Sequence, residues 1–418
     1  MSRLTKWHSC RLGLAPVTFV DGDRSAKYPK RAEFVAKGIP FLNAESISNG
    51  RLDASKANHI PEEKFAEITK GRLLCGDLIL TTRGNGVGKP AFYSSTLPAL
   101  INAQLLIIRP DQEHLHPGFL YYSFCNPPFQ SQLQNFRSGS AQPQLPITAL
   151  RELEFTFPPL SAQRKIASVL STYDDLIENN THRIAILETM AQTIYREWFV
   201  EFRFPGHKKV KLVDSTLGKI PDGWEAKCLS ECCDLVMGQS PSSTLYNETG
   251  EGLPFHQGVT NFGDRYPTHS VFTTALNRLA ESGDVLFSVR APVGRLNIAD
   301  TKIVVGRGVS AIRRKDGNQI FLFHQLKEQF KDEDMMGGGT IFKSVTKEDM
   351  QKIGFICPPP SILAAFEDAV GAGFQSYHNL TKRNRLLRKT RDLLLPKLIS
   401  GQLDVEDLDI ENGEAVTD

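Results

Sequence analysis

Apolar side chains recur three or four residues apart along two long stretches of the chain, Pro158 to Phe199 and Pro358 to Ser400. In the first the stripe runs through Leu170, Ile177, Ile184, Leu187, Met190, Ile194 and Trp198. In the second it runs through Val370, Phe374, Tyr377, Leu380, Leu387, Leu394 and Leu398. That spacing is the period of an amphipathic helix. A proline pair opens each stretch and bars helix before it, and Ser161 or Ser361 then stands in the N-cap place. Each stretch predicts one long helix, about 55 Å if unbroken. Its apolar stripe needs a partner helix, and the simplest partner is the other copy.

The copies agree in detail. Asn179-Asn180-Thr181-His182-Arg183-Ile184 with Leu187 stands against Asn379-Leu380-Thr381-Lys382-Arg383-Asn384 with Leu387, an offset of 379 − 179 = 200. Outside the helices the same offset sets Ser138-Gly139-Ser140 against Gly338-Gly339-Thr340, Leu150 against Met350 and Phe155 against Phe355. Further back the register drifts by a few residues but landmarks persist. Gly76-Asp77-Leu78-Ile79 up to Arg83 resembles Gly283-Asp284-Val285-Leu286 up to Arg290, Gly38-Ile39-Pro40-Phe41 echoes Gly252-Leu253-Pro254-Phe255, and Trp7 echoes Trp224. The pattern is a tandem duplication of a globular part followed by a long helix.

Inside the first globular part, Leu73 to Tyr93 reads as a strand, a glycine-rich turn and a second strand, a hairpin whose loop projects polar and basic side chains. Leu100 to Ile108 reads as another strand and Pro117 to Gln134 as helix. The second part repeats the order, with a strand and loop at Gly283 to Ala299 and a helix at Ile320 to Phe330. The expected class is α+β, mixed, with sheet predominating.

The chain's 418 residues leave room for two domains of roughly 150 residues, each with its own core. A net charge of +2 neither demands nor excludes nucleic acid. The segment Asp404 to Asp418 holds no Lys or Arg, reads as a disordered acidic tail and masks a more basic remainder. Seven irregularly spaced cysteines suit thiols in a reducing cytoplasm. The polar start offers no apolar run for a signal or membrane helix. An intracellular, cytoplasmic protein is the expectation.

Several stretches imitate catalytic motifs. Arg83-Gly84-Asn85-Gly86-Val87-Gly88-Lys89-Pro90 looks like a phosphate loop, but Arg83 takes the first glycine position and Pro90 the place of the Mg²⁺-binding Ser or Thr, so a glycine hairpin is the better account. Asn126-Pro127-Pro128-Phe129 resembles the segment with which amino-methyltransferases hold a target base. No glycine-rich cofactor loop precedes it, and the place near Phe330 lacks it, which favours a helix-ending proline turn. Cys228, Cys232 and Cys233 cluster without the second pair or the histidines of a zinc site, so a buried apolar role for at least one is expected. No acid-base constellation repeats between the halves. The repeated features are structural and basic, which argues for recognition over catalysis.

Taken together, the openings at Pro158 and Pro358, the helical segments around Arg183-Ile184 and Arg383-Asn384, the Gly-Asp strands running to arginine, and the ending Leu394-Leu395-Pro396-Lys397-Leu398-Ile399-Ser400-Gly401 resemble the specificity subunits of type I restriction-modification systems. The likeness covers nearly the whole chain. It implies two target recognition domains, each reading half of a split DNA sequence, joined by conserved helices paired as an antiparallel coiled coil. On that reading residues 1–157 and 204–357 are the recognition domains, 158–203 and 358–403 the helical regions, and 404–418 the tail. The resemblance also implies partners: double-stranded DNA, two modification subunits carrying S-adenosylmethionine, and restriction subunits using ATP and Mg²⁺. It implies no catalytic, cofactor or metal site in this chain. A stand-alone adenine methyltransferase and a coiled-coil scaffold that binds no DNA are the alternatives.

The residues support the same reading independently. Two equivalent heads on a helical spacer suit two separated half-sites, and diverged loops, TTRGNGVGK against SVRAPVGR, suit halves of different sequence. Arg83, Asn85, Lys89, Arg290 and Arg295 are the candidates for DNA contact, since arginine can be bidentate to guanine, asparagine to adenine, and lysine finds phosphate. The repeated place of Arg83 and Arg290 favours a shared phosphate contact or a structural ion pair over base reading. Leu170, Ile177, Ile184, Leu187, Ile194, Trp198, Tyr377, Leu380, Leu387, Leu394 and Leu398 are the candidates for helix pairing and subunit docking. The basic runs Lys208, Lys209, Lys211 and Arg313, Arg314, Lys315 read as solvated loops.

Overall fold

The computed structural model describes residues 7–48, 50–84, 86–136, 143–331, 335–336, 340–341, 344–406 and 408. Two compact units emerge, and they do not follow chain order: one takes Met1–Asn180 with Lys382–Asp418, the other Thr181–Thr381. Both cuts fall inside the long helices, Leu160–Tyr195 and Pro360–Ile399. Each unit therefore holds one globular part, half of one long helix and the opposite half of the other.

The first unit is built on an antiparallel sheet in the order Val17–Asp21, Leu105–Pro110, Leu78–Thr81, Pro90–Phe92. The second repeats it with Cys233–Met237, Val309–Arg314, Val285–Ser288, Leu296–Ile298. Successive side chains on a strand point to opposite faces. Leu78, Leu80, Leu106 and Ile108 accordingly enter one core with Phe119 and Phe124, while Ile79, Leu105 and Ile107 enter another with Leu42 and Ile101. Val285, Phe287 and Ile312 part from Leu286 and Ala311 in the same way. Burial on both faces is why these strands are unbroken apolar runs instead of alternating ones.

The repeated Gly-Asp pair has a structural cause. Gly76 and Gly283 both sit at φ 93°, a left-handed turn that glycine adopts without strain. The buried aspartate that follows accepts from a backbone N–H three residues back, Leu74 or Glu281. It also takes an arginine of the neighbouring strand, Arg109 on Asp77 and Arg313 on Asp284, each with Nε to Oδ1 at 2.7 Å. A buried carboxylate is tolerated only when so paired.

Several expectations need correction. Leu100 to Ile108 is two strands: Leu100–Ile101 runs parallel to Phe41–Leu42, and Leu105–Pro110 joins the main sheet. Between them Asn102 Oδ1 accepts from the Gln104 N–H at 2.9 Å, a side-chain turn that redirects the chain. Pro117 to Gln134 is two helices, Pro117–Cys125 and Pro127–Asn135, since Pro127 both ends the first and suits the first position of the second. Ser161 and Ser361 lie within their helices, which start at Leu160 and Pro360; the carbonyls of Pro159 and Pro359 accept the first N–H bonds. Past Tyr195 the first helix loosens into a π-helical turn, Arg196–Val200, which carries Trp198. The acidic tail begins ordered, because Val405 is buried in the first unit's core and Lys165 Nζ donates to the Glu406 carbonyl; residues 407 and 409–418 lie outside the described residues. Nor is Arg314 solvated: it is 4 % exposed, pairs with Asp316 at 2.8 Å and lies over the Phe321 ring.

Within the first unit the helix halves run antiparallel. Asp174 pairs with Arg391 and accepts from the Tyr122 hydroxyl at 2.7 Å. The buried amide of Asn180 donates from Nδ2 to Asn384 Oδ1 at 2.9 Å, and Asn384 Nδ2 donates to the Ile177 carbonyl at 3.2 Å. Leu170, Leu394 and Leu398 leave the helix seam to pack into the globular core, Ile177 is buried, and Leu387 is half-buried. Asn384→Ala should cost about 1–3 kcal/mol, because the Asn180 amide loses its buried partner; denaturant midpoints read it, and an unchanged midpoint would show the pair to be passive.

In the second unit Tyr195 packs on Phe366 and Leu187 approaches Gly373, again antiparallel. Ile184 and Tyr377 join that unit's globular core, Ile194 and Trp198 an aromatic cluster with Phe199, Trp224, Phe321 and Phe366, and Leu380 is buried. Met190 does not belong to the stripe; it is 56 % exposed beside exposed Ile186.

Candidate nucleic-acid interface

In each unit a loop leaves the sheet after the strand Leu78–Thr81 or Val285–Ser288 and carries the repeated arginine. In the first, Thr82 takes the Gln104 carbonyl through its N–H, and the Thr82 carbonyl accepts from Leu145. Arg83 bridges Gln144, and the Gly88 N–H closes the loop on the Thr81 carbonyl at 2.9 Å. In the second, the Val289 N–H donates to the Gly308 carbonyl, Val345 donates to Val289, and Arg290 bridges Ser344. Ser288 ties that loop from within: its Oγ donates to the Pro292 carbonyl at 2.7 Å and accepts from the Arg295 N–H at 2.8 Å.

The two loops also end alike. Val87 and Val293 are buried anchors, Gly88 and Gly294 follow at φ 88° and 92°, and then come exposed Lys89 and Arg295. A packed valine and a left-handed glycine thus aim a cation outward at the same place in both units. Arg83 and Arg290 are exposed too. Among the described residues, Arg83, Lys89 and Arg290 have no carboxylate partner, whereas Arg295 makes an interaction within the protein. Asn85 lies outside the described residues.

One basic residue escaped the sequence reading. In the second unit the turn Gly306-Arg307-Gly308 takes the place of Asn102-Ala103-Gln104, as Val289 on Gly308 matches Thr82 on Gln104. Glycine is required there: a Cβ on Gly306 would stand 2.7 Å from Gln257 Cα, and one on Gly308 2.4 Å from the Gln257 carbonyl oxygen. Exposed Arg307 stands between these glycines, next to the Gly308 carbonyl that accepts from Val289, and its own N–H donates to Ser240 Oγ at 3.3 Å. Arg307 has no carboxylate partner among the described residues. The signal was a basic residue between two glycines where the other copy has Ala103, visible only once the strands are in register.

Nothing described assembles a reaction centre. Asp111, Glu113 and His114 could share an ion, but all three are exposed on one turn. Buried His256 and half-buried His269 and Asp300 form a hydrogen-bond chain, with ring nitrogens of the two histidines 3.0 Å apart and His269 Nε2 2.9 Å from Asp300 Oδ1. No helix among the described residues is long and apolar enough to cross a membrane.

Comparison with known proteins agrees with this geometry. The family described as type I restriction modification DNA specificity domain matches residues 19–189 and 221–376, one match in each copy of the repeat. A putative type I restriction enzyme specificity subunit of Methanocaldococcus jannaschii, MjaX, is 31 % identical over 378 residues, covering 88 % of both chains. The HindI specificity subunit of Haemophilus influenzae is 22 % identical, covering 91 % of this chain and 98 % of its own. The crystal structure of a type I restriction-modification S subunit from M. genitalium shares the fold, with a TM-score of 0.63 at 15 % identity over 95 % of this chain and 97 % of that one. With both halves of the repeat matched, the chain belongs to the type I restriction-modification DNA specificity family.

Proposed function

We propose that this chain is the non-catalytic reading subunit of a cytoplasmic type I restriction-modification complex. Residues 1–157 and 204–357 each read one half of a split duplex target. Two modification subunits dock on the helical regions and bring S-adenosylmethionine; restriction subunits join them and bring ATP and Mg²⁺. The observation that carries the reading is the pair of arginine loops, built alike on separate cores and unmatched by any repeated catalytic constellation. The purified chain alone should neither methylate nor cut DNA, and adding modification subunits should yield methylation at a bipartite sequence. Methyl transfer by the chain alone would overturn the proposal. A native mass corresponding to one modification subunit per chain would overturn the stoichiometry.

The loop geometry divides the labour among the cations. Arg83 with Arg290 and Lys89 with Arg295 recur at equivalent places, so they suit the phosphate backbone, which is the same at both half-sites. Arg307 stands where the first unit has Ala103, so it suits a base edge in one half-site only. Arg290→Ala should therefore weaken binding to every duplex and flatten the salt dependence by about one phosphate contact. Arg307→Ala should cost about 1–3 kcal/mol of discrimination at a single position. Titrations against matched and singly altered duplexes at several salt concentrations separate the two; identical behaviour of both variants would remove the division.

A further inference from the structure

The four cysteines of the second unit converge. Cys228 caps the one-turn helix Leu229–Cys232, Cys232 ends it, and Cys233 opens the next strand. Cys357 ends the strand Gly354–Cys357, paired antiparallel with Glu225–Cys228. Across this junction the Sγ atoms of Cys232 and Cys357 lie 3.0 Å apart. A disulfide of about 2.05 Å is reached from there by a side-chain shift of about 1 Å.

We propose that Cys232 and Cys357 are an oxidation site, at which hydrogen peroxide forms a disulfide where the second globular part joins the long helix Pro360–Ile399. Cys232 is half-buried and Cys357 nearly closed off. Burial pushes the Cys357 thiol up and closes it off, so the first attack falls to the more accessible Cys232. Its sulfur, having given its proton to water, attacks one peroxide oxygen. The O–O bond breaks, leaving a sulfenic acid on Cys232 and a hydroxide that regains a proton as water. Cys357 Sγ then attacks Cys232 Sγ, the S–O bond breaks, and the departing oxygen takes the Cys357 proton as a second water. Two thiols have lost two electrons and two protons, and the peroxide has become two waters.

The position gives the bond a purpose. Its ends are 125 residues apart in sequence, so it closes a loop around most of the globular part of that unit. Both ends already touch, so the fold need not change. The first unit has no counterpart: the repeat offset places Phe157 where Cys357 stands (357 − 200 = 157), and Cys10 faces Phe155. The effect is therefore confined to one reading head.

The test uses the intact chain treated with hydrogen peroxide, alkylated under denaturing conditions and mapped by mass spectrometry. A peptide joining Cys232 to Cys357, lighter by two hydrogen atoms, is expected, with 7 − 2 = 5 cysteines alkylated. The melting midpoint of the second unit should rise by about 10 °C and fall back on reduction with dithiothreitol. Cys232→Ser should abolish link and shift together, while Cys75→Ser, at an exposed cysteine elsewhere, should leave both. Alkylation of both Cys232 and Cys357 after peroxide, a link from Cys357 to Cys228 or Cys233, or a link without a midpoint shift would each overturn the proposal.

Discussion

Glu188→Ala should destabilise the second unit by about 3–5 kcal/mol, the cost of leaving a buried charge without its partner. Glu188, on the first long helix, holds both Arg265 and Lys327. Arg265 is 2 % exposed, its guanidinium 3.7 Å from the Tyr377 ring centroid and 4.4 Å from that of Phe374, both on the second long helix. Burial works to raise the Glu188 pKa, but Arg265 and Lys327 outweigh it and hold the carboxyl below its ordinary value. Ring faces attract the guanidinium yet cannot replace the carboxylate. Arg265→Met should cost only about 1 kcal/mol, since it removes the buried charge and leaves Glu188 with Lys327. Denaturant melts of the two variants give the order, and a milder Glu188→Ala would show that the rings alone carry the arginine.

Acid should unfold the same unit early. Burial and the neighbouring His269 push the His256 imidazole down to about 4, although Asp300 acts the other way. Burial, then the charges of Arg265 and Lys327 against that of Glu188, push His324 down to about 3. Both rings are neutral in the fold, while the unfolded chain protonates them below about 6.5. Their contribution is fully present above that pH and is lost as pH falls towards the folded values. With two protons taken up on unfolding, stability should drop by about 5 kcal/mol between pH 6 and 4. Denaturant melts of the full chain at half-unit steps would trace the slope. His256→Gln with His324→Gln should flatten it; a slope that survives the double substitution would place the acid sensitivity elsewhere.

These two features were invisible in the sequence for a plain reason. Glu188 reads as an ordinary charge on a helix, and Arg265 as a basic residue in a loop 77 positions away; only the fold makes them neighbours. The helices, the duplication and the hairpins were legible because they rest on local periodicity and on repetition along the chain. The proline openings were legible as barriers, but the choice of cap was not, since backbone carbonyls supply it and any residue has one. The split of Leu100 to Ile108 turned on one asparagine side chain inside an apolar run. At the candidate interface, Arg83, Lys89 and Arg295 stood out as basic residues beside glycines, and Arg290 by its repeated place. Arg307 did not, because its meaning depends on a register shared with strands far away in the chain. Val405 was hidden by the acidic residues around it.

The bonded amides of Asn180 and Asn384 also bear on which halves of such a duplicated chain pair with each other. The repeat offset of 200 maps Asn180 onto Leu380 and Asn384 onto Ile184, so the equivalent place in the second unit is aliphatic. Two molecules exchanging like halves would set each Asn180 against the other's Ile184, burying an amide with nothing to bond at about 1–3 kcal/mol apiece. Like halves of the second kind would meet the same penalty at Asn384. Only a first half with a second half satisfies both amides, so the seam selects against the pairing of like halves, a bias that separately tagged halves, co-expressed, would report as mixed over matched pairing.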